Sequence, residues 1–124
     1  MNAISNNLHV APLLANFFDA GWAIQVLVGD ASQAQYQASR LARPEVEKHL
    51  LTMAHSARDL PEDVRRQMPR VDWESWMALA EYLPPRDAKA RALVWTVIAA
   101  WLPPAGQELR RYRRQLPRLW RFEM

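Results

Sequence analysis

The 124-residue chain carries a net charge of +3, and half of its residues are hydrophobic, including six tryptophans. That length suffices for one domain with a real core, and that composition excludes the charge-heavy profile of a disordered chain. It contains no cysteine, which excludes disulfides, cysteine nucleophiles and thiolate metal sites and fits a reducing cytoplasm, the expected location. The charge is uneven: residues 104–124 hold six arginines against Glu108 and Glu123, a balance of +4, which leaves −1 for the rest. A basic tail on a near-neutral body points to a polyanion or an acidic protein as partner, set against a solvated arginine face that merely aids solubility.

Glycine is scarce and no alternating strand-like run occurs, so every element reads as helix. Residues 1–7 are expected to be a flexible lead into a single domain over residues 8–120. In the first helix Val10, Leu13, Leu14, Phe17, Gly21, Ile24, Leu27 and Val28 recur at steps of three and four, and Gly29-Asp30 ends it. Pro12 fits the first turn of that helix, where a missing N–H costs nothing. Leu8 to Val28 is the longest apolar stretch, but Asn16, Asp19 and Gln25 interrupt it and no basic leader precedes it. It therefore reads as a core helix, neither signal peptide nor membrane span.

Residues 30–43 form a short helix or loop across one end of a bundle. The second main helix starts at Pro44 and buries Val46, Leu50, Met53, Ala57 and Leu60. Pro61 opens a short helix that Pro69 stops. Asp72 is a fitting N-cap for a third helix from Trp73 to about Leu83, with Trp73, Trp76, Met77, Ala80 and Leu83 on one face. Pro84-Pro85 ends that helix. A fourth main helix runs from about Arg86 to Leu102 and is apolar nearly all round, so it is expected to be buried on every side, centrally or by a second subunit. Trp95 and Trp101, six residues apart, then suggest a core side and a partner side, with Trp95, Ile98 and Trp101 as the dimer interface. Pro103-Pro104 is expected to break the chain again before a last helix, about Ala105 to Leu116. There Leu109, Tyr112 and Leu116 share a narrow arc, with Arg110, Arg111, Arg113 and Arg114 opposite. Leu119, Trp120 and Phe122 follow as an apolar tag. The expected fold is all-α, an up-and-down bundle of four main helices plus short ones.

Chemistry is sparse. His49 and His55 lie six apart on one helix, about 240° around it, and cannot jointly grip a metal. No zinc signature, phosphate loop or nucleophile elbow is present, so no metal or cofactor is expected. Asp19, Glu81 and Asp87 are scattered singly, and nothing in their spacing supports paired acid–base catalysis. The arginine face, Arg110, Arg111, Arg113 and Arg114, is the strongest feature outside the core, suited to RNA or an acidic protein surface.

Several landmarks in order resemble the HepT-like branch of the HEPN superfamily, helical toxins paired with minimal nucleotidyltransferases. Ser39-Arg40 through Val46 and Leu50 is similar to the approach to that family's second helix. Met53-Ala54-His55-Ser56-Ala57-Arg58-Asp59-Leu60 stands in place of its Ile-Gly-Glu-Ala-Ala-Lys-x-Leu run. Met68-Pro69-Arg70-Val71-Asp72-Trp73 resembles its Pro-x-Ile-Pro-Trp step, and Leu93-Val94-Trp95 through Leu102-Pro103 its Leu-Val-Trp helix. The similarity spans roughly Leu13 to Leu116. It implies a HEPN-like bundle, a homodimer, a nucleotidyltransferase partner and a metal-independent ribonuclease with an Arg-x4–6-His motif followed by a tyrosine. Here the arginine position falls at about Ala80 and the histidine position at Pro84 or Pro85, with no tyrosine after it. Proline can neither donate nor accept through its side chain, and no base remains for a ribose hydroxyl. The matched site should therefore be inert, leaving a binding protein. The alternative is a working ribonuclease that uses Arg43 and His49, which satisfy the arginine–histidine spacing by count but open the second helix.

Overall fold

The computed structural model describes residues 3–121, with side chains from His9 onward, and among them the fold is all helical. Helix α1 (Ala3–Val28) ends at Gly29, whose φ of 56° is the left-handed geometry that glycine adopts without a Cβ penalty. The helix begins at Ala3, earlier than the start expected near Leu8, so residues 3–7 are part of it. Pro12 consequently lies inside the helix rather than in its first turn. One i→i−4 hydrogen bond is missing there, a local cost that burial of the flanking residues Val10, Leu14 and Phe17 offsets. Phe122 lies outside the described residues.

Ser32 and Gln35 form a reciprocal capping box that starts α2 (Gln33–Ala38), where Tyr36 turns inward and is buried. Helix α3 (Ala42–Asp59) buries Val46, Leu50, Met53, Ala54 and Ala57 against α1. Its C-terminal carbonyls are capped by the guanidinium of Arg65 from α4 (Glu62–Arg66), which donates to the carbonyls of Ala57, Arg58 and Leu60. Asp72 caps α5 (Trp73–Ala78), as its side chain allows. The expected single third helix is in fact split, tightening into a 3-10 turn over Leu79–Tyr82. Leu79, at the junction, is buried, while Ala80 and Leu83 are only half-buried.

The prolines at 103 and 104 do not break the chain. Helix α6 (Ala88–Thr96), capped by Asp87, runs through a π turn (Val97–Trp101) into α7 (Leu102–Gln115) with helical backbone throughout. At 100° per residue the buried set of α7 (Leu102, Ala105, Leu109, Tyr112) would sit about 50° ahead of the α6 set (Val94, Val97, Ile98). A wider π turn absorbs the surplus residue and aligns the two sets. The amide of Leu102 donates to the Val97 carbonyl five residues back. Pro103 and Pro104 then fall in the first turn of α7, where they withhold helical donors from the preceding turn, whose Ala99 and Ala100 are exposed so that water can satisfy their carbonyls.

The same register limits burial of the apolar fourth helix: Ala92, Thr96, Ala99 and Ala100 face outward, so it is not enclosed on every side within one chain. A run of aromatic contacts ties the bundle together. The Phe17 ring lies 5.2 Å from both Trp73 and Trp76, and Trp76 stands edge-on to Trp101 at 5.5 Å. His9–Val28 has the length and composition of a membrane span, with a mean hydropathy of 1.3, yet one of its faces is core.

Candidate basic furrow

Two concave regions matter. The first adjoins the turn that the family resemblance marks for catalysis. Between the 3-10 turn and α6 an open cleft of about 400 Å³ is bordered by Ser75, Tyr82, Asp87, Lys89, Leu93 and Trp101. Its one carboxylate, Asp87, is committed to the Ala90 amide as the α6 N-cap, at 2.8 Å. Ala80, Pro84 and Pro85 occupy the motif positions and contribute no acid, base or cation.

The second region runs along the seam between α1 and α7. Arg110 and Arg113 form one wall with Leu109 and Trp120, and Ala11, Pro12, Ala15, Phe18 and Asp19 form the other, around an open groove of about 230 Å³. A neighbouring depression shares Phe18, Leu109 and Arg110 and extends the groove past Gly21 and Gly106 to Trp22 and Gln25. The arginines are held there by the amphipathic register of α7: with Leu109 and Tyr112 buried, positions one residue later emerge beside α1. The four arginines are all exposed but do not form the single face opposite the core that the sequence predicts. Arg110 and Arg113 line the seam. Arg111 turns to the other flank, 3.7 Å from Glu108, and Arg114 points outward.

The Arg110 guanidinium sits 5.6 Å over the Phe18 ring, a cation–π contact that fixes the arginine at the groove. Among the described residues neither Arg110, Arg113 nor Arg114 makes an ion pair. Trp22 is 56% exposed and Val26, one turn further along the same flank, 65%. Sequence reasoning missed Phe18, Trp22, Val26 and Gly106. The available signal was that apolar residues of α1 cover more than one stripe.

The remaining expectations separate. Trp95 tilts against Tyr36 at 5.8 Å, Trp101 packs on Trp76, and Ile98 is buried, so the chain's own core engages all three expected interface residues. Trp95 and Trp101 keep only part of their surface free. Arg43 and His49 lie on one helix at six-residue spacing, about 240° apart, and the Arg43 Nε donates to the Ser39 carbonyl at 3.2 Å, so they are not brought together. Asp19 and Asp87 belong to different grooves. Among the described residues no group of three His, Asp or Glu forms a metal cage. Burial pushes the Tyr36 phenol up to about 12, with the Glu47 carboxylate adding and Arg43 opposing, and its hydroxyl has no hydrogen-bond partner among the described residues. Burial likewise raises Glu47. Neither group adjoins a cleft described here, and both read as features of packing.

Compared with family models, with curated proteins and with solved structures, the chain matches none of them.

Proposed function

We propose that this chain is a HepT-like HEPN protein whose ribonuclease motif has been replaced, and that it works in the cytoplasm by binding, as a homodimer, a protein of nucleotidyltransferase type. The order of landmarks supports the family reading, with Trp73 and Trp95 flanking a turn in which Ala80, Pro84 and Pro85 replace the reacting groups. The observation that carries the binding reading is that the exposed α7 arginines Arg110, Arg113 and Arg114 have no carboxylate partner among the described residues, the first two beside an apolar seam. Arginine keeps its charge at any physiological pH and suits carboxylate-rich surfaces. The outward small side of the α6–α7 helix, Ala92, Thr96, Ala99 and Ala100, lets a second copy approach closely.

RNA is the second reading, favoured by Trp120 beside Arg113 in the seam. Co-purification with the small nucleotidyltransferase encoded by a neighbouring gene, with and without glutamate at Arg110, Arg111, Arg113 and Arg114, tests the binding role. Retention by the wild type and loss by the variant is expected, and equal retention contradicts it. Light scattering reads the dimer. Incubation with RNA is expected to leave the RNA intact, and cleavage that His49→Ala abolishes would establish a ribonuclease instead.

A further inference from the structure

We propose that the seam between α1 and α7 is a docking groove for an acidic amphipathic helix of a partner protein, an inference that rests on the binding reading and specifies its partner. Geometry sets the length. From Trp22 to Ala11 the α1 wall spans about 16 Å, roughly three helical turns, which accommodates apolar anchors at i, i+3 or i+4, and i+7. Charge sets the chemistry. Arg110 stands at the middle of the seam, lining both depressions, and Arg113 toward one end, with Asp19 the only carboxylate in its wall among the described residues, while the other end carries no charge around Trp22, Gln25 and Gly106. A complementary segment therefore places acidic residues over Arg110 and Arg113 and its apolar anchors toward Trp22.

The surface favours protein over nucleic acid. Single strands are held by successive free aromatic faces, but the Phe18 face is already covered by Arg110, Trp22 and Trp120 line separate depressions, and Ala11, Pro12 and Ala15 offer aliphatic walls on which bases gain little. An extended aliphatic–aromatic strip with flanking cations is instead the counterpart of a helix with one apolar face and acidic flanks.

Gly106 allows the groove to be tested apart from its charge. A Cβ built there meets nothing within 4 Å, so Gly106→Leu obstructs the seam while leaving every arginine in place. The probe is a fluorescein-labelled synthetic helix with leucines at i, i+3, i+4 and i+7 and glutamates at one end, followed by anisotropy beside a scrambled peptide of the same composition. The ordered peptide should bind at least about tenfold more tightly than the scramble, and Gly106→Leu and Trp22→Ala should each lower its affinity at least about tenfold. Circular dichroism should show both variants folded. Equal binding of the two peptides overturns the groove, as does tighter binding of oligouridylate or of phosphatidylserine vesicles. Wild-type affinity in Gly106→Leu also overturns it but leaves the arginine reading standing. Wild-type affinity after charge reversal at Arg110, Arg111, Arg113 and Arg114 overturns both.

Discussion

The two faces of α1 differ in what their apolar residues do. On the inner face Val10, Leu14, Phe17 and Ile24 are almost wholly buried against α3 and α5. On the outer flank Trp22, which shares a depression with Arg110, and Val26 stay more than half exposed. Folding accounts for the first group, at about 25 cal/mol for each Å² of apolar surface removed from water. It does not account for the second, which gains little from folding of a single chain. Apolar residues on one helix thus have two settings, and only the neighbours tell them apart: tryptophans on one side, arginines and a glycine on the other.

That difference can be broken in order of expected effect. Phe17→Ala should lose about 3–5 kcal/mol in urea denaturation, since the ring fills the space between Trp73 and Trp76. Little change there would mean that the inner face is not what holds the bundle. A glycine pair sharpens the contrast across the seam. At Gly21 a Cβ would already stand 3.3 Å from the Met53 methyl and 3.5 Å from Leu102, so Gly21→Leu should cost about 1–3 kcal/mol through overpacking. At Gly106 the space is open, and Gly106→Ala should raise stability by about 0.5–1 kcal/mol through helix propensity. Matching effects at the two sites would erase the distinction between inside and seam.

A further comparison separates packing from polarity within the core. The Tyr112 hydroxyl accepts the Arg70 amide at 2.9 Å, so Tyr112→Phe should cost about 1 kcal/mol. The Tyr36 hydroxyl is buried without a partner among the described residues, and Tyr36→Phe should be neutral or stabilising. Because burial raises the Tyr36 phenol to about 12, the folded state holds the proton longer than the unfolded one. The stability this contributes is complete below pH 10, the unfolded value, and is lost as pH rises toward 12. A urea midpoint that falls over that alkaline window in wild type and falls less in Tyr36→Phe is the expected record. Identical profiles would count against a neutral, buried phenol.

Much of the bundle was legible because its signals are local. Gly29 at the end of α1, Asp72 before α5 and the stripe Val46, Leu50, Met53 and Ala57 each follow from residue type and spacing. The errors arose where local rules meet tertiary register. Pro103 and Pro104 ordinarily end a helix, but alignment of the buried faces of α6 and α7 supports a π turn that carries the chain through. Arg113 was set opposite the core, but at 100° per residue it lies only about 40° from Leu109, at the border where α1 and Trp120 make a groove wall. Trp95, Ile98 and Trp101 were expected to face a partner because their helix is apolar; Tyr36 and Trp76, distant in sequence, cover one side of the two tryptophans, whose remaining surface stays free. The seam stayed hidden because apolar spacing reveals which residues avoid water, not which of them lack a neighbour.

The most direct measurement of the claim that the outer flank of α1 serves binding rather than folding uses Trp22→Ala, with urea denaturation and acidic-helix anisotropy on the same preparation. With Trp22 56% exposed, stability should stay within about 0.5 kcal/mol of wild type while affinity for the peptide falls at least about tenfold. A large loss of stability with unchanged affinity would contradict the account, because Trp22 would then belong to the core.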